Sequence, residues 1–267
     1  MRIGFIGSGN MAEAIIAGMI KSDFPAKDIL ILDINQERID LMVEKHKVSS
    51  TDVDSFFLET DIIVLAVKPQ IIEKVLTNYK MNIKKDHLII SIAAGIKIDK
   101  ILSLSASEKI VRVMPNTPAL ISMGISALTY KSKLISDSEK IQVESIMKSI
   151  GEFVWLEENQ MDAVTALSGS GPAYVYRFVD AMIDSGVLIG LTRDLARKLV
   201  VQTVLGSTMM LKSSNMSPKE LESQVTSPGG TTIHGLVSME KNNFSSSVKE
   251  GVKAAYERAV ELGKENK

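Results

Sequence analysis

Apolar residues follow two rhythms along this chain. Up to about residue 158, short apolar runs of strand length alternate with segments of helical spacing. The runs at 2–6 (RIGFI), 29–33 (ILILD) and 61–67 (DIIVLAV) come first. The third is β-branched and apolar on both faces, as strands of a parallel sheet are. Runs at 88–93, 110–115, 124–130 and 153–157 continue the series. Residues 10–22 and 35–46 have helical spacing, and Ser136 with Glu139 three positions on is a capping-box pattern. This alternation predicts an α/β protein with a Rossmann-like, doubly wound sheet. Beyond 158 the strand signals stop. Pro172 opens a helix that runs to Gly190, Thr192 caps 193–212, and Ser217-Pro218-Lys219-Glu220 combines an N-cap, a proline at N1 and a glutamate at N3. Helices at 232–241 and 245–264 follow. The expected organisation is a sheet domain over 1–158 and an all-α domain over 159–267.

One of these helices breaks the amphipathic rule. LVVQTVLGSTMML, 199–211, is apolar or small on nearly every side, so it should be buried all round. A helical domain of this size struggles to bury it alone; two chains packing their helical domains together would. A homo-oligomer is therefore expected.

Composition narrows the classes. The 267 residues carry 31 basic and 32 acidic groups, a net charge of -1, which supplies no field for nucleic acid or a membrane surface. There is no cysteine, hence no disulfide, thiolate metal site or cysteine nucleophile, and His46, His87 and His234 show no ligand spacing, so no metal is expected. Apolar runs fall short of a membrane span, and MRIGFIGSG lacks the h-region and cleavage site of a signal peptide. A cytoplasmic location is the default expectation.

The first chemical motif sits where strand 2–6 meets helix 10–22. Ile6-Gly7-Ser8-Gly9-Asn10-Met11-Ala12 contains G-x-G-x-x-A. Gly7 permits the tight turn, Gly9 lets a pyrophosphate approach the backbone, and Ala12 allows close helix–strand packing. The pyrophosphate would rest on the free N–H groups of the helix start. Asp33 ends the next strand, at the fingerprint's distance for a ribose-binding acid. A carboxylate there accepts ribose hydroxyls and repels a 2′-phosphate, so it leans towards NADH over NADPH. Arg38 argues the other way but falls within helix 35–46. Two more loops at strand ends, Ala66-Val67-Lys68-Pro69 and Ala93-Ala94-Gly95, offer small residues beside the ribose and nicotinamide. Asn116 lies in a stiff loop between Pro115 and Pro118 that should face the same crevice.

The second motif, Ser168-Gly169-Ser170-Gly171-Pro172-Ala173-Tyr174, suggests the 3-hydroxyacid and 6-phosphogluconate dehydrogenases, which carry a lysine and then an asparagine on the following helix. Here the corresponding positions are Val175 and Val179. Neither moves a proton, whereas an alcohol oxidation needs a group that does. That points to an acceptor arriving already protonated, such as an imine. A third stretch, TSPGGTTIHG at 226–235, reads either as a turn and cap or as a pocket for a small anion.

FIGSGNMAEAI, AVKP, SIAAG, MPNTPAL, DAVTALSGSGPAYVY and SPGGTTIHGL together resemble the pyrroline-5-carboxylate reductase family over essentially the whole chain. The resemblance implies hydride transfer from NADPH or NADH to the C=N carbon of 1-pyrroline-5-carboxylate, giving L-proline. It implies a homodimer interlocked through the helical domain, dimers that often assemble into decamers, and an active site between one subunit's nucleotide domain and its partner's helical domain. By similarity, Ser227, Gly229, Gly230, Thr231 and Thr232 hold the substrate carboxylate, with the Thr232 hydroxyl reaching the pyrroline nitrogen. Glu158 matches a substrate-site acid, and Gln224 stands where some relatives have a cofactor-contacting asparagine. Val53 lies where some relatives bind the adenosine half through an asparagine, a bond only Asp52 or Asp54 could replace. His234 reads as a packing or surface residue. Two rivals remain on residues alone: a lysine-type hydroxyacid dehydrogenase, for which Val175 supplies no proton carrier, and a redox-sensing module, which has no use for the anion loop.

Overall fold

A computed structural model describes residues 1–265. Among them, strands β1 (Ile3–Ile6), β2 (Ile29–Leu32), β3 (Ser49–Ser50), β4 (Ile62–Leu65), β5 (Leu88–Ser91), β6 (Lys109–Met114), β7 (Gly124–Tyr130) and β8 (Gly151–Trp155) form one sheet in the order β3-β2-β1-β4-β5-β6-β7-β8. The order runs outward both ways from β1, so a switch point lies between β1 and β4. All neighbours are parallel except β6 and β7, which are antiparallel. The chain from 115 to 123 explains the exception: a parallel return needs a crossover of a dozen residues or more, and this link is shorter.

Helices α1 (Asn10–Lys21), α2 (Gln36–His46), α3 (Val53–Glu59), α4 (Ile72–Tyr79), α5 (Ile98–Leu104) and α6 (Asp137–Lys148) separate the strands. The central strands are apolar on both faces because both faces are covered. Ile3, Phe5, Ile62, Val64, Leu88, Ile90, Val111 and Val113 join one buried cluster. Their alternates, such as Leu30, Ile63, Leu65, Ile89 and Ile110, join another with Phe56 and Phe57. Gly4 belongs to this second face: a Cβ there would lie 2.4 Å from the Phe56 ring. The expected capping box at Ser136 and Glu139 is present on α6.

A short α7 (Met161–Val164) and a π-helical turn, Thr165–Gly169, lead to α8 (Gly171–Leu188). Then come α9 (Arg193–Ser213), α10 (Pro218–Gln224), α11 (Thr231–Lys241) and α12 (Phe244–Glu265). Thr192 caps α9, and Ser217 with Glu220 forms the box on α10, as expected.

Two compact units emerge: Met1–Ser170 with the segment from Ala255 onward, and Gly171–Ala254. This differs from the expected division at 158/159. Residues 159–170 stay with the sheet because Met161 and Ala166 are buried and Asn116 Nδ2 donates to the Ser168 carbonyl (3.1 Å). The second half of α12 also belongs there, with Ala259 buried and Gly263 beside Lys97 and Asp162.

In the helical unit, α8 and α9 meet closely at Gly186, where a Cβ would come within 2.7 Å of the Ala196 Cβ. The buried core found there is small: Ile183, Ala196 and Val200. The helix expected to be buried all round is not buried within one chain. Leu199, Val201, Leu205, Met209 and Met210 of α9 are exposed.

Candidate active site

The parallel register sets β1, β2, β4 and β5 level at their carboxyl ends: Ile6 pairs with Leu32 and Leu65, and Leu65 with Ser91. Every loop singled out in the sheet domain therefore starts from one edge. Gly7 follows β1 with φ 96°, and a Cβ there would lie 2.7 Å from the Ala66 carbonyl oxygen. No L side chain fits that combination. Gly9 is the N-cap of α1, no side chain caps the helix, and a Cβ on Gly9 would meet nothing within 4 Å. An uncapped helix start behind an open cradle suits a pyrophosphate.

Asp33 is half-buried just past β2. Its Oδ2 accepts from the Ser8 N–H and hydroxyl, both at 2.7 Å, and its Oδ1 from the Asn35 N–H at 2.9 Å. Burial alone would raise its pKa, but these bonds outweigh it and hold the carboxyl below the ordinary range. Asp33 therefore stands ionised at the ribose position of the fingerprint. Beside it Ile34 is 97% exposed, an apolar surface that the sequence reading passed over.

Arg38 does sit on α2, but that does not take it away from the loop. Its Nε donates to the Ser8 carbonyl (2.9 Å), and its Nη2 pairs with Glu13 of α1 (3.0 Å). Around the rest of the edge, Ala66 N–H donates to the Ile6 carbonyl (2.9 Å), and Val67 packs against the second cluster. Lys68 is exposed before the short helical turn begun by Pro69. Ala94 is exposed, and Gly95 has φ 75°. These small groups and the open Gly9 cradle fit a dinucleotide.

Three expected contacts prove committed elsewhere. Asn116 Oδ1 accepts from Ile125 N–H (3.0 Å) while its Nδ2 holds the Ser168 carbonyl, so its amide braces β7 and the π-helical turn. Asp52 caps α3, and Asp54 accepts from Asn82, so neither is a free substitute for an asparagine at Val53.

Glu158 departs furthest from expectation. Its Oε1 accepts from the Ile98 N–H at the start of α5 (2.8 Å) and faces the buried Arg112 (3.4 Å); its Oε2 pairs with Lys131 (2.8 Å). Lys131 reaches Asp99 as well, and Arg112 faces Asp162 at 3.9 Å. Burial opposes ionisation of Glu158, but Lys131, the Ile98 amide and Arg112 together lower its pKa. This carboxylate ties β6, β7 and α5 together. The cation that fixes it, Arg112, is concealed in an otherwise apolar strand, IVRVM, and only its charge among aliphatics signalled it.

In the helical unit, the stretch 226–235 forms a turn into α11. Gly229 has φ 68°, and Gly230, the N-cap, has no room for a Cβ, which would fall 2.4 Å from Ser227 Oγ. Gly230 N–H donates to the Ser227 carbonyl (3.1 Å), and no side chain caps α11. Thr231 is exposed and Thr232 half-buried. His234 is exposed but not idle: its Nδ1 lies 2.9 Å from the Gly230 carbonyl, bracing the turn. Gln224 Nε2 contacts Met216 Sδ (3.3 Å). Val175 is exposed and Val179 packs on the small core, so neither hydroxyacid-dehydrogenase position carries a titratable group.

Comparison with known proteins decides the family. Residues 158–262 match the family model for pyrroline-5-carboxylate reductase dimerisation, and 2–95 match that for NADP oxidoreductase, coenzyme F420-dependent. A pyrroline-5-carboxylate reductase of Synechocystis sp. is 39% identical over 266 residues, covering 99% of both chains. The chain belongs to the pyrroline-5-carboxylate reductase family. The solved structure of the Coxiella burnetii reductase matches with a TM-score of 0.91 at 35% identity, covering 98% of each chain. That of the Plasmodium falciparum reductase, which has NADP bound, matches at 0.88 and 36%, again over 98% of each.

Proposed function

We propose that this chain reduces 1-pyrroline-5-carboxylate to L-proline with NADH or NADPH. The observation that carries the reading is the start of α11: two glycines shape a turn, no side chain caps the helix, and two threonines follow. The backbone amides there, aided by the helix dipole, hold the substrate carboxylate; the dipole adds about 0.3–1 kcal/mol when exposed and up to ~2 when partly buried. Ser227 and Thr231 flank the anion. Thr232 offers its hydroxyl to the ring nitrogen, orienting and polarising the C=N bond. A reduced nicotinamide, when bound, supplies the hydride. Ile6 to Met11, Ala66 to Pro69, Ala94 and Gly95 cradle the dinucleotide, with Asp33 at its ribose. Asn116 acts by holding backbone, and Gln224 offers its side-chain amide to the cofactor. Glu158 supports the site by fixing β6, β7 and α5.

The catalytic demand is mainly positional, since orientation of two reacting centres is worth up to roughly 7–11 kcal/mol. A protonated imine takes a hydride at carbon and becomes a secondary amine without an enzymic acid, consistent with valine at 175 and 179. The helical unit, matched by the dimerisation family model, forms a homodimer through its exposed apolar faces, and the dimers associate into a decamer.

Steady-state kinetics with the pyrroline substrate and each reduced nicotinamide test this reading. Thr232→Ala lowers kcat about 100-fold, the order of losing one oriented hydrogen-bond donor, while cofactor affinity stays within experimental scatter. Turnover of a 3-hydroxyacid, or cofactor binding with no consumption when the imine is supplied, would sink it.

A further inference from the structure

One carboxylate gathers the basic groups that line the outer wall of the dinucleotide loop. Glu13, on α1, receives Lys45 Nζ (2.9 Å) and His46 Nε2 (3.3 Å) at Oε1 and Arg38 Nη2 (3.0 Å) at Oε2. Lys45, burial's opposing effect, Arg38 and His46 together leave its pKa at about 2, so it is charged at any working pH. The same Arg38 donates from Nε to the Ser8 carbonyl (2.9 Å), while Asp33 accepts from the Ser8 N–H and hydroxyl. Ser8 is thus gripped on its carbonyl side by a cation and on its amide side by an anion. These two are the residues that compete over a dinucleotide's ribose in this fold: an acid just past the second strand accepts the 2′-hydroxyl, and a nearby arginine accommodates a 2′-phosphate. Here the acid stands at the end of β2, its oxygens accepting from Ser8 and Asn35 and, among the described residues, paired with no cation. The arginine's guanidinium is divided between Glu13 of α1, which offsets its charge, and the Ser8 carbonyl, to which both Nε and Nη2 donate.

We propose that Glu13 is a positioning residue for cofactor choice: by tethering Arg38 to α1 it withholds the guanidinium from a 2′-phosphate, and Asp33 then selects NADH. Asp33, Arg38 and Glu13 together form the selectivity device. It rests on the dinucleotide reading of the glycine loop and is independent of which imine is reduced.

Binding of NADH and NADPH, followed by nicotinamide fluorescence with no imine present, reads it directly. Wild-type protein binds NADH the more tightly. Glu13→Gln shifts the affinity ratio towards NADPH about 10-fold, the order of one charge-assisted hydrogen bond, and kcat/KM shifts alike. Asp33→Ser moves the ratio in the same direction. Adding Arg38→Ala to Glu13→Gln returns the ratio to the wild-type value, because the gain runs through the guanidinium. Arg38→Ala alone leaves the ratio within about two-fold, the scale of a change of a few tenths of a kcal/mol, because a withheld guanidinium contacts neither nucleotide and loss of its hold on the Ser8 carbonyl weakens both alike; this variant tests the tether even where Glu13→Gln fails to fold. A shift of the ratio towards NADH on Arg38→Ala alone, or a Glu13→Gln shift that survives removal of Arg38, overturns the proposal. Binding of neither nucleotide overturns the dinucleotide reading with it.

Discussion

The sheet unit and the helical unit solve the burial problem differently. In the first, β1, β4, β5 and β6 feed alternate side chains into two large clusters, and the largest side chains, such as Phe5, Phe56, Phe57 and Met42, are fully buried. In the second, a 21-residue helix and an 18-residue helix share a core of three buried residues, while Leu188 and Ile189 stand 86% and 78% exposed. A single chain closes one core and leaves the other open. Exposed apolar surface on this scale marks an interaction face. It teaches that the sheet unit is stable by its own packing, whereas the helical unit's stability belongs to an assembly and to chain concentration.

The hardest blow to that contrast is a charge on α9. Leu205→Asp should abolish the dimer and with it turnover. A buried unpaired carboxylate costs several kcal/mol, and two copies would face each other across a symmetric interface. Sedimentation should find monomer, and near-native far-UV signal from the sheet should persist. A dimer that survives Leu205→Asp would show that α9 is not the contact. The next effect is smaller and confined to the sheet unit. Glu158→Gln removes a charge that Arg112 and Lys131 both need, at a cost of about 2–3 kcal/mol, below the fully buried range because Lys131 is partly exposed. The pKa of Glu158 is lowered on folding. Its contribution is therefore complete above the unfolded value near ~4.3 and lost as pH falls through the folded value. Denaturant melts of wild type and variant should differ at pH 7 and converge under acid; a constant gap would assign the loss to shape instead of charge.

The same contrast explains what could be read in advance. Central strands were legible because both faces are apolar, and caps at Ser136, Thr192 and Ser217 because their chemistry is local. The antiparallel turn of β7 was not, since direction is decided by whether the 115–123 link can cross the sheet. β3 consists of two serines and α3, α4 and α5 of seven or eight residues, too short for periodicity to mark. For the site, Gly7 and Gly229 were legible as turn glycines because a positive φ favours glycine there, and Gly230 because a Cβ would strike Ser227. What Glu158, Asn116 and Arg38 hold was not legible because their partners are remote in sequence: Glu158 meets residues 46 and 60 positions away, Asn116 one 52 away, and Arg38 one 30 away. A charged side chain announces itself in a sequence, but what answers its charge is a matter of tertiary placement.

The smallest test compares like with like. Ser136 and Ser217 each close a capping box with a glutamate at N3, one on α6 of the sheet unit and one on α10 of the helical unit. Alanine at either site removes the same bond to an N3 amide and costs about 1 kcal/mol. If the two units differ as argued, the loss will be expressed differently. Ser136→Ala should lower the sheet unit's midpoint by an amount independent of protein concentration. Ser217→Ala should lower the midpoint of a unit whose folding is coupled to association, so that midpoint falls on dilution in wild type and variant alike. Thermal melts over a hundred-fold range of concentration resolve this. A helical-unit midpoint that does not move with concentration would mean that this unit holds itself together, and the exposed face of α9 would then need another explanation.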